Sequence, residues 1–147
     1  MALIANKKIA LEYEILETFE AGAELHGFEV KALRNGLGNL EGARVLVRGA
    51  EAFLTGTTIP PYQAANVPKG YDPERPRRLL LNRKEIAEIA EIERKKGLTV
   101  IPKKWYNKSG KIKLEVVVAR RKKKYDKRQT LKERDTKRDI ERTLKNQ

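Results

Sequence analysis

Apolar and polar residues change period several times along this chain, and each change marks an element. Over residues 12–25, Tyr13, Ile15, Phe19, Ala21, Ala23 and Leu25 alternate with Glu14, Thr18, Glu20 and Glu24. A period of two predicts a long, half-buried strand. Gly22 inside it predicts a bend or bulge that lets one strand serve two sides of a small barrel. Over residues 29–35 the period turns helical: Val30, Leu33 and Leu37 recur at i, i+3 and i+7, and Gly36 can stop a short helix in the left-handed conformation. Lys31 and Arg34, three apart, share the side that faces away from the core.

Residues 43–48 and 52–59 read as a hairpin, with Val45 and Val47 inward and Gly49, Ala50 and Glu51 at the turn. Five of the six prolines then fall between Pro60 and Pro76, among or beside Lys69, Tyr71, Arg75, Arg77 and Arg78. A loop of that length in a compact domain is either a functional segment or a plain crossover between two sides of the barrel. Leu79, Leu80 and Leu81 are expected to be buried. Asn82 followed by Glu85 predicts a capping box that opens a helix running to about Lys96. Ile86, Ile89 and Ala90 mark its inner face, and Arg94, Lys95 and Lys96 before Gly97 suit the negative end of the helix dipole. Residues 98–106 and 111–119 flank the turn residues Asn107, Lys108, Ser109 and Gly110, and Ile112, Leu114, Val116 and Val118 alternate cleanly.

At least five antiparallel strands with two helices predict a mainly β fold with added α-helices. Strands this short and curled favour a small closed antiparallel barrel of oligonucleotide-binding (OB) type plus a basic C-terminal tail. A ferredoxin-like α+β sheet is the alternative.

Charge divides the chain in two. Residues 120–147 carry 13 Lys or Arg against five acids, a net of +8, which leaves +5 of the total +13 for residues 1–119. Leu131, Ile140 and Leu144 are the only aliphatic residues larger than Ala in this tail, too few for the stripe that docks a helix on a core. Glu133 with Lys137 and Glu141 with Lys145 are acid-first i, i+4 pairs, and Asp139 with Arg142 is an i, i+3 pair. Residues 1–119 are therefore expected to fold as one body. Residues 120–147 are expected to be disordered when free and helical once a polyanion neutralises them. A solvated tail that only aids solubility is the alternative, against which stand the five successive cations Arg120 to Lys124.

Composition then removes function classes. With no cysteine there is no disulfide, thiolate metal site or thiol nucleophile. The single histidine, His26, and single serine, Ser109, give no Ser-His-Asp arrangement, and no Asp, Glu and His cluster has metal-ligand spacing. Gly36, Gly38 and Gly42 are one residue too widely spaced for a dinucleotide fingerprint and follow a helix instead of a strand. No enzyme, no cofactor and no metal are expected. No apolar run approaches the ~20 residues of a membrane span, and the start lacks a signal-peptide core. A soluble, cytoplasmic protein with no membrane partner is expected, monomeric when free.

Binding remains. Lys7 and Lys8, Lys31 and Arg34, Arg75 to Arg78, and Lys103 and Lys104 lie on separate segments, with Tyr13, Phe28, Tyr71, Trp105 and Tyr106 nearby. Cations interleaved with rings fit RNA, where side chains stack on unpaired bases and contact the backbone; each ring taken alone also fits core or rim packing.

The residues at this point resemble the SsrA-binding proteins, SmpB, partners of transfer-messenger RNA in bacterial trans-translation. The resemblance runs through Asn6-Lys7-Lys8, Tyr13, Glu17-Thr18-Phe19-Glu20-Ala21-Gly22 and Gly27-Phe28-Glu29-Val30-Lys31-Ala32-Leu33-Arg34. It continues at residues 59–62, 79–81, Glu85-Ile86, Lys96-Gly97 and Pro102, and ends in the run from Ala119 to Arg128 with Lys132, Arg134 and Asp135. It implies an OB-type barrel whose body binds the tRNA-like domain of transfer-messenger RNA and delivers it to stalled ribosomes for rescue and peptide tagging. It implies a tail that probes the empty mRNA channel at the small-subunit decoding centre. Carried onto matching positions, it assigns RNA binding to Asn6, Lys7, Glu29, Lys31, Arg34, Arg120, Lys122 and Lys123. It assigns ribosome contact to Tyr125, Asp126, Lys127, Arg128, Lys132, Arg134 and Asp135. The chain departs from the family pattern at Arg121 (usually Gly), Ala32 (usually Ser), Asn82 (usually His) and residues 103–107, where an aliphatic strand is common. Two rival classes fit the same composition: a ribosomal protein with a basic extension, and a small RNA-modifying enzyme on a barrel scaffold.

Overall fold

The computed structural model describes residues 2–63, 65 and 67–122. In chain order the elements are β1 (Ala2–Ala5), α1 (Ile9–Glu12), β2 (Tyr13–Ala23), α2 (Gly27–Arg34), β3 (Arg44–Arg48) and β4 (Glu51–Thr55), then β5 (Arg77–Leu80), α3 (Arg83–Glu93), β6 (Leu98–Lys108) and β7 (Lys111–Arg121). The strands form one antiparallel sheet in the order β1-β6-β7-β2-β5-β4-β3. The fold is mainly β, as the alternating patterns predict, with β1, α1 and β5 additional to the expected set.

Gly22 is where the sheet turns. β2 pairs with β7 from Tyr13 to Ala21 and with β5 at Gly22 and Ala23, so one strand serves both halves. A Cβ at Gly22 would sit 3.3 Å from Leu80 Cβ, which is why the smallest residue stands at the handover.

The expected closure into a barrel is corrected: the sheet is open, and β1 and β3 form its two hydrogen-bonding edges. The edge strand β3 still packs directly against β6, without joining it in strand pairing. α3 packs on β3 and β6, and α2 packs on β1. Ile89 and Ile92 of α3 enter the main core with Leu33, Leu54, Leu79, Trp105, Leu114, Val116 and Val118. A sheet edge covered by a helix needs no partner strand. A second cluster lies beneath α1, where Ile9 covers Ile101, Val117 and Ala119. β7 is thus buried on both faces, a burial that its alternation of Leu114, Val116 and Val118 does not announce.

Several local expectations shift. A register irregularity between Ile15 and Glu17 leaves Ile15 38% exposed, although the alternation places it inward. Leu79 is buried, but Leu80 points out at 49% exposure, because strand residues alternate faces. Both hairpin turns are tighter than expected: β3 and β4 pair up to Arg48 and Glu51, and β6 and β7 up to Lys108 and Lys111. Ser109 and Gly110 both have positive φ, at 52° and 78°, which matches the twist of the flanking strands. α3 ends at Glu93, so Arg94, Lys95 and Lys96 lie just beyond it. The capping box holds: the Asn82 side chain accepts from the Glu85 amide at 2.8 Å, and the Asn82 amide donates back to Glu85 Oε1 at 3.2 Å.

A candidate nucleic-acid interface

α2 carries the predicted contact residues, and its ends explain its placement. At the start, Glu29 Oε1 accepts from the His26 amide at 2.8 Å, satisfying a group that the first turn leaves without an intrahelical partner. At the end, Gly36 takes φ +75°. Its amide donates to Leu33 O at 3.0 Å and the Leu37 amide to Ala32 O at 2.9 Å, the paired closure of a Schellman motif. Glu29, Ala32 and Leu33 are buried, and Lys31 and Arg34 are exposed on the other side. The Arg34 guanidinium donates to Gly110 O at 3.0 Å, tying the helix to the β6–β7 turn.

Glu29 does not face solvent. It is 0% exposed, and its carboxylate is turned toward groups of the protein itself. Its carboxylate gathers the long loop instead. Arg77 donates through Nε at 3.1 Å and Nη2 at 2.7 Å, Tyr71 through its hydroxyl at 2.9 Å, and Arg75 through Nη2. Arg77, also 0% exposed, donates onward to Thr57 O and Pro73 O at 3.1 and 2.9 Å. Burial alone pushes the Glu29 carboxyl pKa up; hydrogen bonds from Arg75, the His26 amide, Arg77 and Tyr71 outweigh it and hold the value at about 2. Tyr71 moves the other way, to about 12, through burial and its bond to the same carboxylate. Arg75 and Arg77, counted in the sequence among the cations offered to RNA, are spent on this internal site. The spacing held the signal: Glu29, Ala32 and Leu33 stand at i, i+3 and i+4, the inner stripe of a short helix.

Other predicted positions divide in the same manner. Lys7 and Lys31 are exposed and form no ion pair among the described residues. Lys8 pairs with Glu41 at 2.7 Å, which raises its pKa through that hydrogen bond and charge. The Asn6 amide donates to Lys103 O at 2.8 Å and its Nδ2 to Leu40 O at 3.4 Å, while Oδ1 is buried with no partner among the described residues. Trp105 is fully buried in the core and offers no stacking face. Tyr106 bonds Glu20 at 2.6 Å, with Lys108 beside it at 3.0 Å. That contact lowers the Glu20 pKa, and burial together with Glu20 raises that of Tyr106.

At the end of β7, Arg120 bonds Glu14 at 2.7 Å. Arg121 lies over the Tyr13 ring at 5.8 Å and 3.8 Å from Glu12. The Lys122 amide donates to Glu12 O at 2.8 Å and its ammonium to Ala10 O at 3.0 Å. Strand pairing and these bonds seat the chain as far as Lys122. Lys123 and the tail positions Tyr125, Asp126, Lys127, Arg128, Lys132, Arg134 and Asp135 lie outside the described residues, as does the expected disorder-to-helix change. Among the described residues, no helix is long and apolar enough to cross a membrane.

The SmpB protein family model matches residues 3–146 of this chain. The chain belongs to the SmpB family. It is 47% identical to the SsrA-binding protein of Thermosipho africanus, over 99% of this chain and 98% of that one. To the SsrA-binding protein of a Synechococcus species it is 46% identical, over 97% and 93%. In structure it is similar to a solved chain described as "tmRNA-SmpB: a journey to the center of the bacterial ribosome", with a TM-score of 0.67 and 35% identity, covering 86% of this chain and 92% of that one. Membership in the SmpB family, over nearly the whole length, spans both the body and the basic tail.

Proposed function

We propose that this protein binds the tRNA-like domain of transfer-messenger RNA and delivers it to stalled ribosomes for trans-translation. The observation that carries this reading is the near full-length match to SsrA-binding proteins, which includes the Glu-Val-Lys-x-Leu-Arg element of α2 and the basic run after β7. The body is an OB-like RNA-binding unit whose sheet stays open. Lys31 and Arg34 on α2, with Lys7 after the neighbouring β1, supply phosphate contacts, which dominate affinity for nucleic acid. Glu29 serves that face indirectly, by fixing the loop packed against α2.

The tail reads the empty mRNA channel. Its net of +8 in residues 120–147 suits an RNA-walled passage, where release of counterions drives binding. The protein supplies recognition and positioning, and its residues supply no catalytic step.

Pull-down of the full chain from a bacterial lysate, with sequencing of the bound RNA, tests the reading. Transfer-messenger RNA is expected to dominate the reads, and the protein to enrich on ribosomes with empty mRNA channels. Uniform presence on all ribosomes with no enrichment of transfer-messenger RNA would support a ribosomal protein instead.

A further inference from the structure

A cleft opens between the first turn of α2 and residues 68–75, and its chemistry goes beyond phosphate contact. It encloses about 320 Å³, within the ~300–1,000 Å³ range of sites that hold small planar ligands. One wall is a layered aromatic surface. The His26 ring stacks on Phe28 with centroids 5.3 Å apart and planes 21° apart, and Phe28 meets Tyr71 edge-on at 4.7 Å. His26 is exposed and Phe28 half-buried, so the stack ends in an open π face that a further ring can extend.

Both sides of the cleft are held by one buried group. Glu29 accepts from the His26 amide on one side and from Tyr71 and Arg75 on the other. The site is therefore formed before any ligand arrives, which removes an ordering cost from binding. Polar groups surround the stack. Lys69 is exposed at the mouth. Asp72 accepts from the Glu74 amide at 2.9 Å, and a carboxylate has further lone pairs for the N–H groups of a base edge. Arg75 Nε is buried in this wall with no partner among the described residues.

Charge decides between a ring and a polyanion here. Lys69, Arg75 and Arg77 against Glu29 and Asp72 leave a net of only +1, too little to act as an electrostatic patch. A flat neutral ring carrying one phosphate is the better match. Beyond the cleft, Lys31 follows Phe28 by three residues and Arg34 follows Lys31 by three, so a strand entering the cleft continues past both cations.

We propose that this cleft is a stacking subsite for one unpaired nucleobase of the bound RNA, with His26 and Phe28 as the platform, Asp72 facing the base edge and Lys69 its phosphate. The proposal rests on the RNA-binding reading above. Its test is a titration of the full chain with transfer-messenger RNA at several salt concentrations. His26→Ala keeps the backbone amide that Glu29 holds, and should weaken binding roughly fivefold or more, the lower end of a stacking contribution. His26→Tyr restores a π face and should recover most of that loss, which a purely structural role for His26 does not predict. Lys69→Ala should lower the salt slope by about one. If the parent chain fails to bind transfer-messenger RNA, the underlying reading is wrong. If the parent binds while His26→Ala stays within twofold of it and Lys69→Ala leaves the salt slope unchanged, the cleft is not a subsite.

Discussion

Replacing Glu29 with Gln removes one charge from the buried end of an ion-pair cluster. Glu29 and Arg77 are each 0% exposed, so the variant leaves the Arg77 guanidinium buried beside a neutral amide. Breaking a buried pair by removing one partner costs about 3–5 kcal/mol. The pKa supplies a second route to the magnitude. The carboxyl sits at about 2 in the folded chain against an ordinary 4.5, and at about 1.4 kcal/mol per unit this corresponds to roughly 3 kcal/mol of stability at neutral pH. Because the folded pKa lies below the unfolded one, that stability is fully present above about pH 5 and is lost as pH falls toward 2. Urea unfolding followed by circular dichroism at pH 7 should show Glu29→Gln less stable by about 3–5 kcal/mol, and the gap to the parent should narrow steadily between pH 5 and pH 3. RNA binding should weaken as well, although the variant gains positive charge, because His26 and Tyr71 lose their common anchor. A loss below about 1 kcal/mol, or a gap that does not change with pH, would refute the argument that this carboxylate holds the loop to α2.

The remaining predictions concern single contacts and the tail. Asn82→Ala removes the side-chain acceptor of the Glu85 amide and should cost about 1 kcal/mol in the same unfolding assay, with no effect on RNA affinity. A chain ending after Lys124 keeps the body and the bonds of Lys122; gel-shift titration should show transfer-messenger RNA binding retained, and a fall to background would break the division into body and tail. Alanine at Asp126, Lys127 and Arg128 together should leave that binding intact but abolish peptide tagging on stalled ribosomes. Proline at Thr136, which changes no charge, should impair tagging similarly, since a proline costs about 3 kcal/mol within a helix; normal tagging by this variant would remove the helix from the tail's mechanism.

Periodicity, turn chemistry and charge by themselves determined most of the longer elements of this protein and its class of partner. The alternation around Phe19 and Ala21, the stop at Gly36 and the Asn82–Glu85 cap are local features, set within a few residues by backbone preference and spacing, and they stand where the pattern puts them; the β6–β7 hairpin forms as expected but with its turn narrowed to Ser109 and Gly110. Gly22 was legible as a bend for the same reason. The basic run after Ala119 and the Lys31–Arg34 pair, with the motifs around them, pointed to RNA and to the SmpB family.

Tertiary structure decided what faces what. Whether the sheet closes depends on how β3 meets β6, which pack together without pairing, a matter of non-local packing that no window of sequence contains. The outward positions of Ile15 and Leu80 follow from a register irregularity and from pairing across the sheet. Trp105 and Val117 are interior because of helices that arrive from elsewhere in the chain. Above all, Glu29, Arg75 and Arg77 carry formal charges that look alike in sequence to those of Lys31 and Arg34. Only the fold brings an acid on α2 within reach of two arginines and a tyrosine from residues 71–77, turning them from surface charges into a buried cross-link. A charged side chain takes its role from its solvation and its partners, and those are set by chain segments more than 40 positions apart.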